Sequence, residues 1–397
     1  MTDPGDPIKN LDRQIRAFRW VRMLSEIPDR RAGSGGEAQA AEQVGEWLSE
    51  LGFDDVRIAP VASKPRLGLV AALHLGVGGL GLVIGGAAGA LLTCFGALSY
   101  VGHISGRLSL SRLLPAPPSR NVMGRAGALR PRQRVVLSAH IDAPQSGWIF
   151  RDVWLRTARH MRPIQSMVLL AASVVAVAVW LGADVALADW VRFGLAALLG
   201  IGVGLGLQWG LAAASPGAND NASGVAAMLT CAEQLMAQLP EGVDLWAVGT
   251  GAEEVGLCGM RAFCDDPTEP APAATYFVNF ESVGGGTLHY VRSEGTLPQA
   301  YPSLLLELAR RVASSGLFGP VRLTDLDLRT DGQVPAARGW PALTLIGLVE
   351  SGLPRGYHSA ADVAEAVDLE MLIRAGDFGA AVAYAALRGE AGPIALV

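Results

Sequence analysis

Three stretches of this chain carry no charged residue. Leu67 to Gly102 runs for 36 residues without Asp, Glu, Lys or Arg, and Pro163 to Ala183 and Phe193 to Ala214 run for 21 and 22. A helix needs about 20 apolar residues to cross a bilayer, with about 17 as the short limit, so the last two runs qualify directly. Between them stands DVALADWVR, Asp184 to Arg192, a polar link short enough to make the pair a helical hairpin. The first run is too long for one ordinary span, and a turn at Gly85 and Gly86 divides it into two short ones. Core helices of a soluble protein are also apolar all round. Here, however, half of the whole chain is apolar and 17% is charged, and the excess is concentrated in these runs. His74 and His103 lie in or beside the first run with no acidic partner in it, which predicts packing or interfacial roles.

The remaining composition excludes several classes. A formal net charge of -5 argues against a nucleic-acid binder, which carries a basic stripe. Cys94, Cys231, Cys258 and Cys264 form no C-x-x-C pair and have no spaced His partners, so a cysteine zinc site is not expected. The N-terminal MTDPGDPIKNLDRQIRAF lacks the basic start and apolar run of a secretory signal.

Outside the uncharged runs, helical and extended patterns alternate. SGGE, Ser34 to Glu37, reads as a capping box before the helical AQAAEQVGEWLSEL. Strands are predicted at Asp55–Val61, Asn121–Gly127, Arg134–Asp142, Val243–Gly251, Ala274–Ser282 and Trp340–Leu348, with helices at Ala222–Leu239, from Tyr301, and from Leu369. The pattern predicts an α/β fold, a mostly parallel mixed sheet sandwiched by helices. Such folds place their chemistry at the carboxyl ends of strands.

That rule gathers the polar residues. His140 and Asp142 end one strand, Glu253 and Glu254 follow another, and Glu281 ends a third. Asp220 stands in SPGANDNASG ahead of a helix, and His358 in PRGYHSAADV. Imidazole and carboxylate ligands suit zinc, and two neighbouring metals need one carboxylate that bridges them. The count suffices for two zinc ions: Asp220 bridges, His140 and Glu281 complete one site, and Glu254 and His358 complete the other. Glu253 is then free to act as general base. Asp142 is placed to accept the other ring N–H of His140 and fix its tautomer. His160 and His289 lie in no motif.

SAHIDAPQSG, GANDNASGVA, GAEEVGLCGM, VNFES and YHSAADV, in this order, resemble the zinc aminopeptidases of clan MH, peptidase family 28, whose relatives include glutamate carboxypeptidases and glutaminyl cyclases. The resemblance covers nearly everything except the apolar runs. It implies the zinc-exopeptidase fold and the roles just assigned to His140, Asp220, Glu253, Glu254, Glu281 and His358. It adds Tyr357 as a hydroxyl beside the oxyanion and a cis peptide between Asp220 and Asn221. Three features depart from the family: Glu281 stands where Asp is usual, Gly332 follows Asp331 where His is common, and 80 residues separate His140 from Asp220.

Since His140 and Asp220 must meet, the chain between them crosses a bilayer an even number of times, and the same parity holds for the first run. The expectation is a discontinuous catalytic domain of residues 1–66, 103–162 and 215–397 with two inserted transmembrane hairpins, 67–102 and 163–214. Lys64, Arg66, Arg107, Arg112, Arg156, Arg159 and Arg162 flank the spans on the catalytic side, which the positive-inside rule assigns to the cytoplasmic face of an inner or plasma membrane. The implied function is a membrane-bound dizinc aminopeptidase acting on a peptide or small amide, with the lipid bilayer as its other partner. The alternatives are a glutaminyl-cyclase-like acyltransferase or nonpeptide amidohydrolase, for the first of which one zinc is expected, and a catalytically silent membrane scaffold. Oligomeric state is not legible.

Overall fold

Four strands of this protein are buried along almost their whole length, which is what a parallel sheet covered on both faces requires. They are β3 (Gln133–His140), β4 (Val243–Thr250), β5 (Ala274–Glu281) and β9 (Ala342–Leu348). The computed structural model describes residues 7–151, 161–183, 185–266 and 274–389. Five further strands complete the sheet: β1 (Asp55–Val61), β2 (Ser119–Gly127), β6 (Thr287–Glu294), β7 (Gln299–Ala300) and β8 (Val321–Leu326). The order is β1-β2-β4-β3-β5-β9-β6-β7, with β8 paired to β6. The centre β4-β3-β5-β9 is parallel, whereas β1–β2, β2–β4, β6–β7 and β6–β9 are antiparallel.

This is the mixed α/β sheet expected from the sequence, with three strands, β6 to β8, beyond those predicted. The chain clusters into two compact units: residues 1–63, 117–144 and 214–397 form the sheet unit, and 64–116 with 145–213 form a helical unit. Residues 103–116 and 145–150 go with the helices because their polar groups bond there: His103 Nδ1 to Ser111 Oγ at 2.9 Å, and Gln145 Nε2 to the carbonyls of Trp209 and Gly210 at 3.1 and 2.9 Å.

In the sheet unit, helices Pro7–Ser25, Gly35–Glu50, Gly224–Met236 and Leu369–Arg388 contribute apolar side chains to one core, built on Trp47, Leu137, Met228, Phe280 and Phe378. A second core holds Val136, Trp246, Met260, Phe277 and Ile346. In β3 the alternation puts Val135 and Leu137 in the first core and Val136 in the second, so the sheet is sandwiched.

The helical unit holds Leu67–Ile84, Gly86–Ile104, Met161–Trp180 and Val185–Leu211, and all four contain stretches long and apolar enough to cross a membrane. The first pair turns at Gly85 and Gly86, with φ of +71° and +59°, a region glycine enters without penalty. The second link differs from expectation. The helix already runs from Val185, so most of Asp184–Arg192 is helical and not a linker. Charge alone does not break a helix, and Arg192 bonds Asp189 one turn back at 3.0 Å. His74 packs as predicted, with its ring nitrogens 2.7 Å from the Val70 carbonyl and 3.0 and 3.1 Å from Ser99 and Ser109 Oγ. Asp184, Arg156, Arg159 and His160 lie outside the described residues, as does the side chain of Arg162.

Leu67–Ile84 and Val185–Leu211 approach backbone to backbone. A Cβ on Gly68 would lie 2.3 Å from the Gly210 nitrogen and 2.6 Å from the Gly206 oxygen. Small residues are what permit such contact between helices in lipid. Gly68→Val is therefore expected to cost about 1–3 kcal/mol or more by overpacking, read as a lower melting temperature of the full chain in detergent. Gly194→Ala, where nothing lies within 4 Å, should melt like the parent, and equal melting of both variants would refute this packing.

Candidate metal centre

Strand register sets the site. His140, the last residue of β3, pairs with Thr250, the last of β4, so Glu253 and Glu254 follow within one turn of chain. Glu281 ends β5 and pairs with Ile346 of β9. Asp220 lies just before the Gly224–Met236 helix, and it and Asn221 depart from helical geometry there; the peptide between them is cis. Asn221 holds this loop against β5, accepting from the amides of Ser282 and Gly224 at 2.9 and 3.1 Å and donating to the Phe280 carbonyl at 2.9 Å.

The two carboxylate oxygens of Asp220 face different partners. Oδ1 is 3.3 Å from His140 Nε2, which is also 3.3 Å from Glu281 Oε1. Oδ2 is 3.7 Å from His358 Nε2, which is 3.5 Å from Glu254 Oε2. His140, Asp220 and Glu281 thus offer ligand atoms within 4.8 Å of one another, and so do Asp220, Glu254 and His358, and His140, Glu253 and Glu254. The structure brings all five expected ligands and Glu253 to one place. Tyr357 stacks on His358 with ring centroids 3.9 Å apart.

Asp142 meets His140 through both its main chain and its carboxylate. The nearest acceptor for His140 Nδ1 is the Asp142 backbone carbonyl at 3.0 Å, while its carboxylate oxygen is 3.5 Å away. The carboxylate also accepts the amides of Glu253 and Glu254 at 3.1 and 3.2 Å. It therefore ties the acidic pair to the end of β3.

The electrostatics fit cations. Burial pushes the Glu253 and Glu254 carboxyls well above their ordinary range against the opposing pull of His140, with Glu281 adding for both. Burial also raises Glu281, whose Oε2 has no hydrogen-bond partner. His140 is raised: burial works against its charge, but Glu281, Asp142 and Asp220 outweigh it. Burial lowers His358 to about 4, with Asp220 opposing, which leaves a neutral imidazole suited to ligation. Crowded, buried carboxylates that repel one another and one orphaned oxygen are what bound metal would relieve, and the N/O donor set is one zinc accepts.

Sequence reasoning missed the groups that hold the ligands. Buried Arg30 donates to the carbonyls of Ile141, Pro216 and Gly217 at 3.1, 2.9 and 2.8 Å, joining the loops that carry His140 and Asp220. Asp362 accepts the amides of Asn219 and Asp220 at 2.7 and 3.0 Å. Glu37, read only as half of a capping box, accepts from Ser119 Oγ and from Ala252, next to Glu253, at 2.6 and 3.0 Å. Asp331, buried and hydrogen-bonded by Thr250, sits in a loop fixed by Glu294, which accepts from Tyr301 and Thr330. A buried Arg or Glu bonded to distant main chain has no local spacing rule, so only a cost argument against burying unpaired charge points to it.

Arg30→Met leaves buried carbonyls without donors, at about 1–3 kcal/mol each. A clear fall in melting temperature with weakened zinc retention is expected, and parent-like zinc binding would exclude Arg30 as a positioning residue. Glu294 supplies a pH test. Burial raises its carboxyl from 4.5 to about 7 against the donors Tyr301 and Thr330. A raised carboxyl favours the protonated folded state, so its contribution, about 3 kcal/mol, is complete below pH 4.5 and lost as pH rises through 7. Glu294→Gln should flatten the decline of melting temperature over that window; an unchanged slope would assign it elsewhere.

Residues 203–383 match the model of Peptidase family M28, a span that contains Asp220, Glu253, Glu254, Glu281 and His358 and begins after His140. No curated protein was found to match the chain in sequence. Among solved structures, it is similar to the LapA aminopeptidase of Legionella pneumophila (12% identity, 95% of this chain and 72% of that one, TM-score 0.56). It is also similar to BSAP, a zinc aminopeptidase from Bacillus subtilis (16%, 94% of each, 0.57), and to Porphyromonas gingivalis glutaminyl cyclase (15%, 94% and 97%, 0.58). Over residues 203–383 the chain is thus similar to Peptidase family M28, and its fold is similar to that of solved zinc aminopeptidases.

Proposed function

We propose that this protein is a membrane-integral dizinc metallopeptidase, an aminopeptidase that hydrolyses peptide or related amide bonds. The observation that carries this reading is the division of Asp220: one oxygen turned to His140 and Glu281, the other nearest His358 and Glu254. Two zinc ions held by these five residues would polarise the scissile carbonyl and acidify the attacking water. Glu253 takes the proton from that water and delivers it to the leaving amine. Burial raises its carboxyl above the ordinary glutamate range, so it holds a proton more firmly than an exposed glutamate would. Asp142 fixes the backbone beneath it. Tyr357, held against His358, supplies a hydroxyl to the oxygen that gains charge as the carbonyl is attacked.

The membrane part of the proposal rests on four apolar helices whose outward side chains are large and apolar, among them Leu91, Leu98, Met167 and Leu170 at 71, 71, 70 and 64% exposure. Exposed Trp148 lies near one end of the second helix pair, and Trp180 and Trp190 near the other, where aromatic residues mark bilayer interfaces. Lys64, Arg66, Arg107 and Arg112, which flank the first helix pair, support a cytoplasmic catalytic side by the positive-inside rule. The acyl-transfer reading shares the fold with glutaminyl cyclase but calls for a single ion, and Asp220 here serves two donor sets.

Purified full chain is expected to bind two zinc ions and to cleave free-amine peptides while sparing N-blocked ones. Glu253→Gln should retain the metal and lose at least about 100-fold in kcat. Wild-type turnover by that variant would remove the base, and absence of zinc would favour the scaffold reading.

A further inference from the structure

The sheet unit is interrupted twice: the chain leaves after Ser63 and returns at Pro117, then leaves after Pro144 and returns at Ala214. All four of these points belong to the end of the sheet that carries the metal cluster. Val61, the last residue of β1, pairs with Ser119, the first of β2. Val122 of β2 pairs with Gly249 of β4, and its neighbour Thr250 pairs with His140. At the second interruption Ser215 donates to the Pro144 carbonyl at 2.8 Å, and Arg30 clamps the same two legs.

The connecting chain is short as well. Pro144 is four residues from His140, and Ala214 is six from Asp220. At about 3.5 Å per extended residue, they lie within about 14 and 21 Å of those ligands. Each departure leads into helices long and apolar enough to cross a membrane. A peptidase that merely needed an anchor for soluble substrates could carry it in the loop between β2 and β3, residues 128–132, at the opposite end of the strands. Here both insertions instead use the loops beside the ligands.

Building on the dizinc aminopeptidase reading, we propose that the substrates are peptides held at a bilayer surface: chains with a free amine whose apolar or lipid-bearing body partitions into the membrane. Such a substrate meets the centre at a raised local concentration without leaving the lipid.

The test uses the full chain, loaded with zinc and reconstituted in vesicles of phosphatidylcholine and phosphatidylglycerol. Three peptides share the same amino-terminal residues and free amine. One ends in an unmodified lysine. Two end in a palmitoylated lysine, placed four or twenty residues beyond the scissile bond; the shorter spacer reaches about 14 Å. The short-spacer anchored peptide is expected to show kcat/KM at least about tenfold above the soluble one, to equal the long-spacer peptide, and to slow in proportion as it is diluted with lipid in the same vesicles. Equal or faster cleavage of the soluble peptide, or cleavage of the long-spacer peptide alone, would overturn the proposal and leave the aminopeptidase reading standing. If zinc is bound and none of the three is cleaved, the aminopeptidase reading fails and the proposal with it.

Discussion

The site depends on one shared carboxylate. Asp220 is buried between two histidines, and each of its oxygens also stands near a second acidic side chain. Such an arrangement is costly when the nearby positive charges, among the described residues, are an imidazolium and the guanidinium of Arg30. That cost explains the density of hydrogen bonds around it. Asp362 holds the Asp220 amide, Asn221 bolts the following residue to β5, and Arg30 spans the loops on either side. These bonds to the main chain hold the acidic side chains close together despite their mutual repulsion, which bound cations would relieve.

Much of this was legible in the sequence, for identifiable reasons. Central strands in a doubly covered sheet read as unbroken apolar runs, and β3, β4, β5 and β9 were placed to within about two residues, within the usual ambiguity of element ends. β6 and β8 were not, because TLHYVRSE and VRLTDL mix charge into short extended segments and give no strong period. Asp189 and Arg192 misled in the other direction: their charges suggested a linker where an i,i+3 pair supports a helix.

The candidate metal ligands were visible because His and carboxylates recur where strands end and in two Gly-containing loops. The supporting residues were not. Glu37 carries a helix-capping signature at its own end of the chain, while its carboxylate supports the backbone next to Glu253 from more than two hundred residues away. Asp142 looked like a partner for a ring nitrogen, and its carboxylate also accepts two amides that no spacing rule pointed to. Spacing rules describe neighbours along a helix or strand, and these bonds join segments that meet only once the sheet has formed.

The paired legs of each interruption also bear on how such a protein arises. Pro144 and Ser215 touch, and Val61 and Ser119 are ladder partners, so each apolar helical segment hangs from a gap already closed by hydrogen bonds. Splicing one out would require only a tight turn across the stump, and splicing one in would leave every strand partner where it was. A version of the sheet unit without the apolar helices is therefore separated from this chain by two excisions and no change of register.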